Sequence, residues 1–124
     1  MSKPKVLVVD DEPGVLGLVA AALSLRGYEV QAETSPRRAL ELAKATPCFD
    51  LLVSDVLMPG MCGPELVRQF AQLSPATAFV MMSAYIDNKQ IPSSAGFISK
   101  PFLMTDLYSV VEKTLARRSA AARA

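Results

Sequence analysis

Residues 5–12 read KVLVVDDE: four apolar residues run straight into two adjacent aspartates and a glutamate. Like charges side by side repel. Asp10 and Asp11 are therefore either the solvated end of a strand or a pair waiting for a cation, and the segments around them decide which.

Working outward, short apolar runs return at 51–53 and 79–82, and segments of helical period separate them: PGVLGLVAAALSLR (13–26), SPRRALELAKA (35–45) and GPELVRQFAQL (63–73). That alternation is the pattern of βα repetition and a parallel sheet. Nearly continuous apolar runs suit strands covered by helices on both faces, whereas the mixed stretch 28–33 suits an edge. In the third helix Leu66, Val67, Phe70 and Leu73 fall on one face, opposite Glu65, Arg68 and Gln72. Ser35 before Pro36 and Gly63 before Pro64 place proline at a first helical position behind a cap, and Gly27 stops the first helix. GFIS at 96–99 leads through Lys100 and Pro101 into a last helix with Leu107, Val110, Val111, Thr114 and Leu115 on its inner side. The reading is a doubly wound α/β domain of five parallel strands. Its weak point is YIDNKQIPSSA (85–95), where Pro92 stands in the slot of the fourth crossover helix, so that helix is expected to be shortened or irregular.

The 124 residues, 51% of them hydrophobic, suffice for one domain with its own core. We place that domain at 1–117 and read 118–124, which has no large apolar residue, as a tail or the start of a linker, with Arg117, Arg118 and Arg123 as solubilising charges. A net charge of +1 supplies no global field for nucleic acid or an anionic membrane. Without a charged-then-apolar leader or an 18-residue apolar run, the expectation is a cytoplasmic chain with no membrane insertion, in which Cys48 and Cys62 are free thiols. The absence of histidine removes His-based metal sites and His general bases.

In an open parallel sheet, functional groups gather beyond the carboxyl ends of the strands. Strand one ends in Asp10 and Asp11, strand three in Ser54 and Asp55, strand four in Ser83, and strand five in Ser99 and Lys100. Three carboxylates brought together cannot all stay ionised without compensation. A hard divalent cation with oxygen ligands resolves this, and Mg²⁺ fits best.

The set VLVVDDE, DLLVSDVLMPGMCGPEL, MMSAY and FISKPF resembles the receiver domain of bacterial two-component response regulators, from about Lys5 to Arg117, whether free-standing or part of a hybrid histidine kinase. The resemblance implies a flavodoxin-like strand order, 2-1-3-4-5, and a domain that takes a phosphoryl group from a histidine kinase or phosphotransfer protein and passes the signal to an output partner the sequence does not name. It implies Asp55 as phosphoacceptor, Asp11 as a direct Mg²⁺ ligand, Asp10 as a ligand through water, and Leu57 as donor of a backbone carbonyl. Ser83 would bond a phosphoryl oxygen and Lys100 would pair with the phosphoryl group. Pro101 would follow a cis peptide bond. Phe97, three residues before the lysine, would be the aromatic switch, and lacking a hydroxyl it is expected to be substantially buried even without phosphate. Such a domain is not an enzyme for another substrate; it catalyses only its own aspartyl phosphorylation and dephosphorylation. Against the family pattern, the span from Ser83 to Lys100 is short by more than a helical turn. Leu57, with Tyr85, points to a long-lived phosphoryl group.

Taken singly these residues have bland explanations. Asp11 or Glu12 before Pro13 would serve as a helix cap, Asp55 as a solvated loop residue, Ser83 as a turn former and Lys100 as an exposed lysine. Met81 and Met82 read as core filler. Joint occurrence at four successive strand ends argues against accident. An aspartyl-nucleophile hydrolase would want a second Asp at 57, which is Leu; a flavin or nucleotide binder would want a glycine-rich cradle where DDEPG stands; a degenerate docking receiver would have lost Asp55 or Lys100.

Overall fold

The computed structural model describes residues 3–45, 49–84 and 95–123. In chain order the elements are β1 (Lys5–Val9), α1 (Pro13–Leu25), β2 (Glu29–Glu33), α2 (Pro36–Ala45), β3 (Leu51–Asp55), α3 (Gly63–Leu73), β4 (Ala78–Ser83), β5 (Gly96–Ser99) and α4 (Met104–Arg123). The strands form one parallel sheet in the order β2-β1-β3-β4-β5, as the resemblance implied.

Successive side chains of a strand point to opposite faces, and the apolar runs are divided accordingly. Val6, Val8, Leu51, Val53, Val80 and Met82 pack on one face with Leu16, Val19 and Leu23 of α1 and Leu107 and Val111 of α4. Leu7, Val9, Leu52 and Met81 pack on the other with Ala39 and Ala43 of α2 and Leu66 and Phe70 of α3. Phe70, fully buried, meets the rings of Phe49 and Phe79; truncating it to alanine would cost about 3–5 kcal/mol. Met81 and Met82 are core, as read. β2 is exposed along Glu29, Gln31 and Ala32, as an edge strand should be.

The ends of the helices depart from the reading in detail. Gly27 does stop α1, at φ +89°. α3 begins one residue early, with Cys62 at its N-cap and Gly63 already helical, and Cys62 is a free thiol. Leu73, at the C-terminal end of α3, is exposed rather than buried. α4 passes 117 and 118 without a break and continues to Arg123. Arg118, read as part of a solubilising tail, is instead fixed to the base of the sheet: its Nη1 lies 2.9 Å from Asp50 Oδ1 and its Nε donates to the Ala76 carbonyl. Asp50 Oδ2 in turn accepts the Lys5 N–H at 2.8 Å.

A second cluster fastens α1 to α4. Arg26 Nη2 lies 2.7 Å from Glu112 Oε1, its guanidinium stacks 4.3 Å from the centre of the Tyr108 ring, and the Tyr108 hydroxyl donates to the Ala22 carbonyl at 3.0 Å. The expected irregular fourth helix falls on 85–95, of which 85–94 lie outside the described residues, as do Tyr85, Pro92 and Cys48. No helix among the described residues is long and apolar enough to cross a membrane.

Candidate functional site

Parallel register aligns the carboxyl ends of β1, β3, β4 and β5: Val9 pairs with Ser54, Asp55 with Met82, and Ser83 with Ser99. The residue that ends or follows each strand therefore opens on one rim. Asp10 is completely buried there. Its Oδ1 accepts the Glu12 N–H at 2.9 Å and its Oδ2 accepts Lys100 Nζ at 2.9 Å, so both oxygens are engaged by the protein itself. Asp55, also buried, holds Oδ2 3.3 Å from the same ammonium. Asp11 is half-buried beside them, and each of the three aspartates offers a ligand oxygen within 4.8 Å of the others'. The rim thus brings together the acidic residues and the lysine singled out in the sequence.

Lys100 is positioned by its backbone, which donates its N–H to the Ser83 carbonyl at 2.7 Å, and the Lys100–Pro101 bond is cis. Ser83 is buried at the end of β4. Leu57 turns an exposed side chain outward and gives its backbone N–H to the Asp55 carboxylate. Phe97 is largely buried on β5, in register with Met81 and packed against the α2/α3 side of the core, as the sequence led us to expect.

The electrostatics follow from burial. Desolvation pushes the Asp55 carboxyl above the usual aspartate range; Lys100 opposes the shift and Asp10 reinforces it. Burial opposes the charge on Lys100 too, but the hydrogen bond to Asp10 and the proximity of Asp55 hold its pKa above the ordinary lysine value. Lys100 is a stable cation at neutral pH. It compensates one of three carboxylates and leaves two negative charges, which suits a divalent ion with hard oxygen ligands.

Sequence reasoning placed Ser54 on the rim without giving it a task. Its hydroxyl donates to the Asp55 carbonyl at 2.9 Å, bracing the peptide behind the carboxylate. A lone serine in the otherwise apolar run LLVS was the available signal.

An open doubly wound sheet with an acidic pocket and a cis-proline lysine at its carboxyl rim is the architecture of a phosphoryl-accepting signalling domain. Residues 6–112 match the response regulator receiver domain, and the chain belongs to that family, whose members serve two-component systems as phosphoacceptors. The sensor kinase CckA of Brucella abortus (strain 2308) is 35% identical over 91% of this chain, which spans only 13% of that kinase. The response regulator receiver protein CpdR of the same organism is 28% identical over 90% of this chain and 96% of its own length. Among solved structures, the chemotaxis protein CheY4 of Vibrio cholerae superposes with a TM-score of 0.82 at 29% identity, covering 91% of this chain and 99% of that one.

Proposed function

We propose that Asp55 accepts a phosphoryl group from the phosphohistidine of a kinase or phosphotransfer protein, that Lys100 offsets the charge of the transferred group while the Ser83 hydroxyl hydrogen-bonds it, and that the aspartates of the rim would hold a Mg²⁺ ion. The observation that carries this reading is the Lys100 ammonium shared between Asp10 and Asp55 at 2.9 and 3.3 Å. A carboxylate oxygen of Asp55 forms a bond to phosphorus as the bond from phosphorus to the donor nitrogen breaks, and the departing imidazole keeps that bond's electron pair and takes a proton from water. Little covalent work falls to the protein, so its contribution is positioning and charge.

The three aspartates, whose ligand oxygens already cluster, fit a divalent ion. Asp11 would hold it directly, Asp10 through water because both its oxygens are already hydrogen-bonded, and Leu57 through its backbone carbonyl. When bound, Mg²⁺ would supply positive charge to the phosphoryl oxygens. The buried Ser83 hydroxyl would bond the phosphoryl group, and Phe97 would complete its burial against β4 as the surface switches. On this reading the domain catalyses only its own phosphorylation and hydrolysis, extends through Arg118, works in the cytoplasm, and signals to a protein output rather than to nucleic acid or membrane.

Intact mass spectrometry after incubation with acetyl phosphate and Mg²⁺ tests it. A single phosphate adduct is expected, lost in Asp55→Ala and suppressed by excess chelator. An adduct that survives both conditions removes Asp55 from the role.

A further inference from the structure

The geometry points to Gly63 as a positioning residue for Asp55, acting on the peptide group behind the carboxylate. The proposal rests on the phosphoacceptor reading of Asp55 and concerns how that side chain is held.

Gly60 and Gly27 occupy the left-handed region; Gly63 does not, so its identity is a matter of room and not of backbone conformation. It sits at the first turn of α3, donating its N–H to the Val56 carbonyl at 2.7 Å. A Cβ there would overlap the Asp55 carbonyl oxygen and come within 2.5 Å of Met81 Cε and 2.9 Å of Val56 Cα. The Asp55 carbonyl is thus confined between two features: the bare Cα of Gly63, and the Ser54 hydroxyl that donates to it at 2.9 Å. One residue on, the Val56 N–H bonds the Met82 carbonyl at 2.9 Å, pinning the same turn to β4. Few backbone degrees of freedom remain at Asp55.

This confinement has a use. The Asp55 carboxylate must keep one oxygen beside Lys100 while presenting another to phosphorus, and a displacement of about 1 Å in such an arrangement can cost on the order of 10²-fold in rate. A methyl on Gly63 has two obstacles of different kinds. Met81 Cε is the end of a flexible side chain and can give way; the Asp55 carbonyl is backbone, held on its other side by Ser54, so displacing it disturbs the turn that carries the carboxylate.

That difference defines the test. Gly63→Ala, the double variant Gly63→Ala/Met81→Leu and Ser54→Ala are phosphorylated with acetyl phosphate at saturating Mg²⁺ and followed by intact mass, with urea unfolding measured in parallel. For Gly63→Ala the maximal rate should fall by about 10- to 100-fold while the half-saturating acetyl phosphate concentration stays put. Met81→Leu, which removes the flexible obstacle, should not restore it. Recovery in the double variant, or a parental rate in a folded Gly63→Ala, overturns the proposal. If Gly63→Ala does not fold, Ser54→Ala decides: loosening the other side of the carbonyl should slow transfer by a few-fold, and an unchanged rate refutes the idea. An unmodified parent protein under these conditions would instead overturn the phosphoacceptor reading, so the two failures are distinct.

Discussion

At the base of the sheet, Asp50 divides its carboxylate between the Lys5 N–H and the Arg118 guanidinium, while Ser74 and Thr77 share a 2.6 Å hydrogen bond and Thr77 donates on to the Phe49 carbonyl. At the opposite rim, Asp10 and Asp55 share one ammonium, and Asp11 clusters beside them with no cation of its own among the described residues. Both are polar clusters closed by long-range contacts, yet only the first is neutral in itself. A carboxylate matched by its own guanidinium and N–H holds a fold together. Carboxylates in excess of their cations store unfavourable charge that a ligand can relieve, and that excess marks the working end of the molecule.

Replacing Lys100 by methionine should break this contrast most severely. The rim would lose its cation and the fully buried Asp10 its partner. Transfer from acetyl phosphate should slow by about 10²–10³-fold, or about 3–4 kcal/mol, and stability should drop by about 3 kcal/mol in the absence of a divalent ion. Urea unfolding with and without Mg²⁺ would check the second part, since Mg²⁺ should recover much of the loss. A rate within threefold of the parent would make Lys100 purely structural.

Next in size is the response to the metal. At a hundred times its dissociation constant, Mg²⁺ should stabilise the parent by about 2.7 kcal/mol, and Asp55→Asn by less. The same variant reports on the stored charge. A carboxyl raised by burial keeps its proton in the folded state at pH values where the unfolded chain has lost it. Stability therefore falls as pH rises from the ordinary aspartate range through the raised value, and stays reduced above it. Without metal, Asp55→Asn should melt higher than the parent at pH 7, with the gap closing as pH drops below the usual aspartate range. A gap that widens on acidification would contradict the assigned direction.

Arg118→Ala probes the neutral end. Asp50 keeps the Lys5 N–H and some solvent, so the loss should be about 1 kcal/mol in denaturant unfolding, with the phosphorylation rate unchanged within twofold. A larger effect on phosphorylation than on stability would mean the two ends are coupled. The smallest effect concerns Leu57, exposed beside Asp55 and unable to hold a water for hydrolysis. Leu57→Asn should speed loss of the phosphoryl group by a few-fold, measured by mass spectrometry after removal of the donor; slower loss would contradict it.

The strands and the rim were legible because both are written in local pattern. Apolar runs such as LLVS mark buried strands, and a parallel sheet sends the residues after each run to the same side, so Asp10, Asp55, Ser83 and Lys100 could be grouped before any coordinates. Contacts set by tertiary packing were not legible. Arg118 stands among alanines with no apolar period to show that α4 still touches the body there, and its partner Asp50 lies far away in the chain. Gly63 looked like a cap because glycine before proline suits a helix start, whereas its environment is decided by Asp55 and Met81. Leu73 kept the period of its helix but lies where the α3 face runs past the core.

The clamp between α1 and α4 has a kinetic side. Its Arg26–Glu112 and Tyr108–Ala22 bonds each join residues 86 positions apart. Closing a loop of that length costs chain entropy before any contact rewards it, so such bonds form late in folding, after the local βα units. Interactions made after the barrier leave the folding rate nearly untouched and are lost on the way up during unfolding. The clamp is therefore expected to contribute, modestly, to how long the domain stays folded more than to how quickly it gets there.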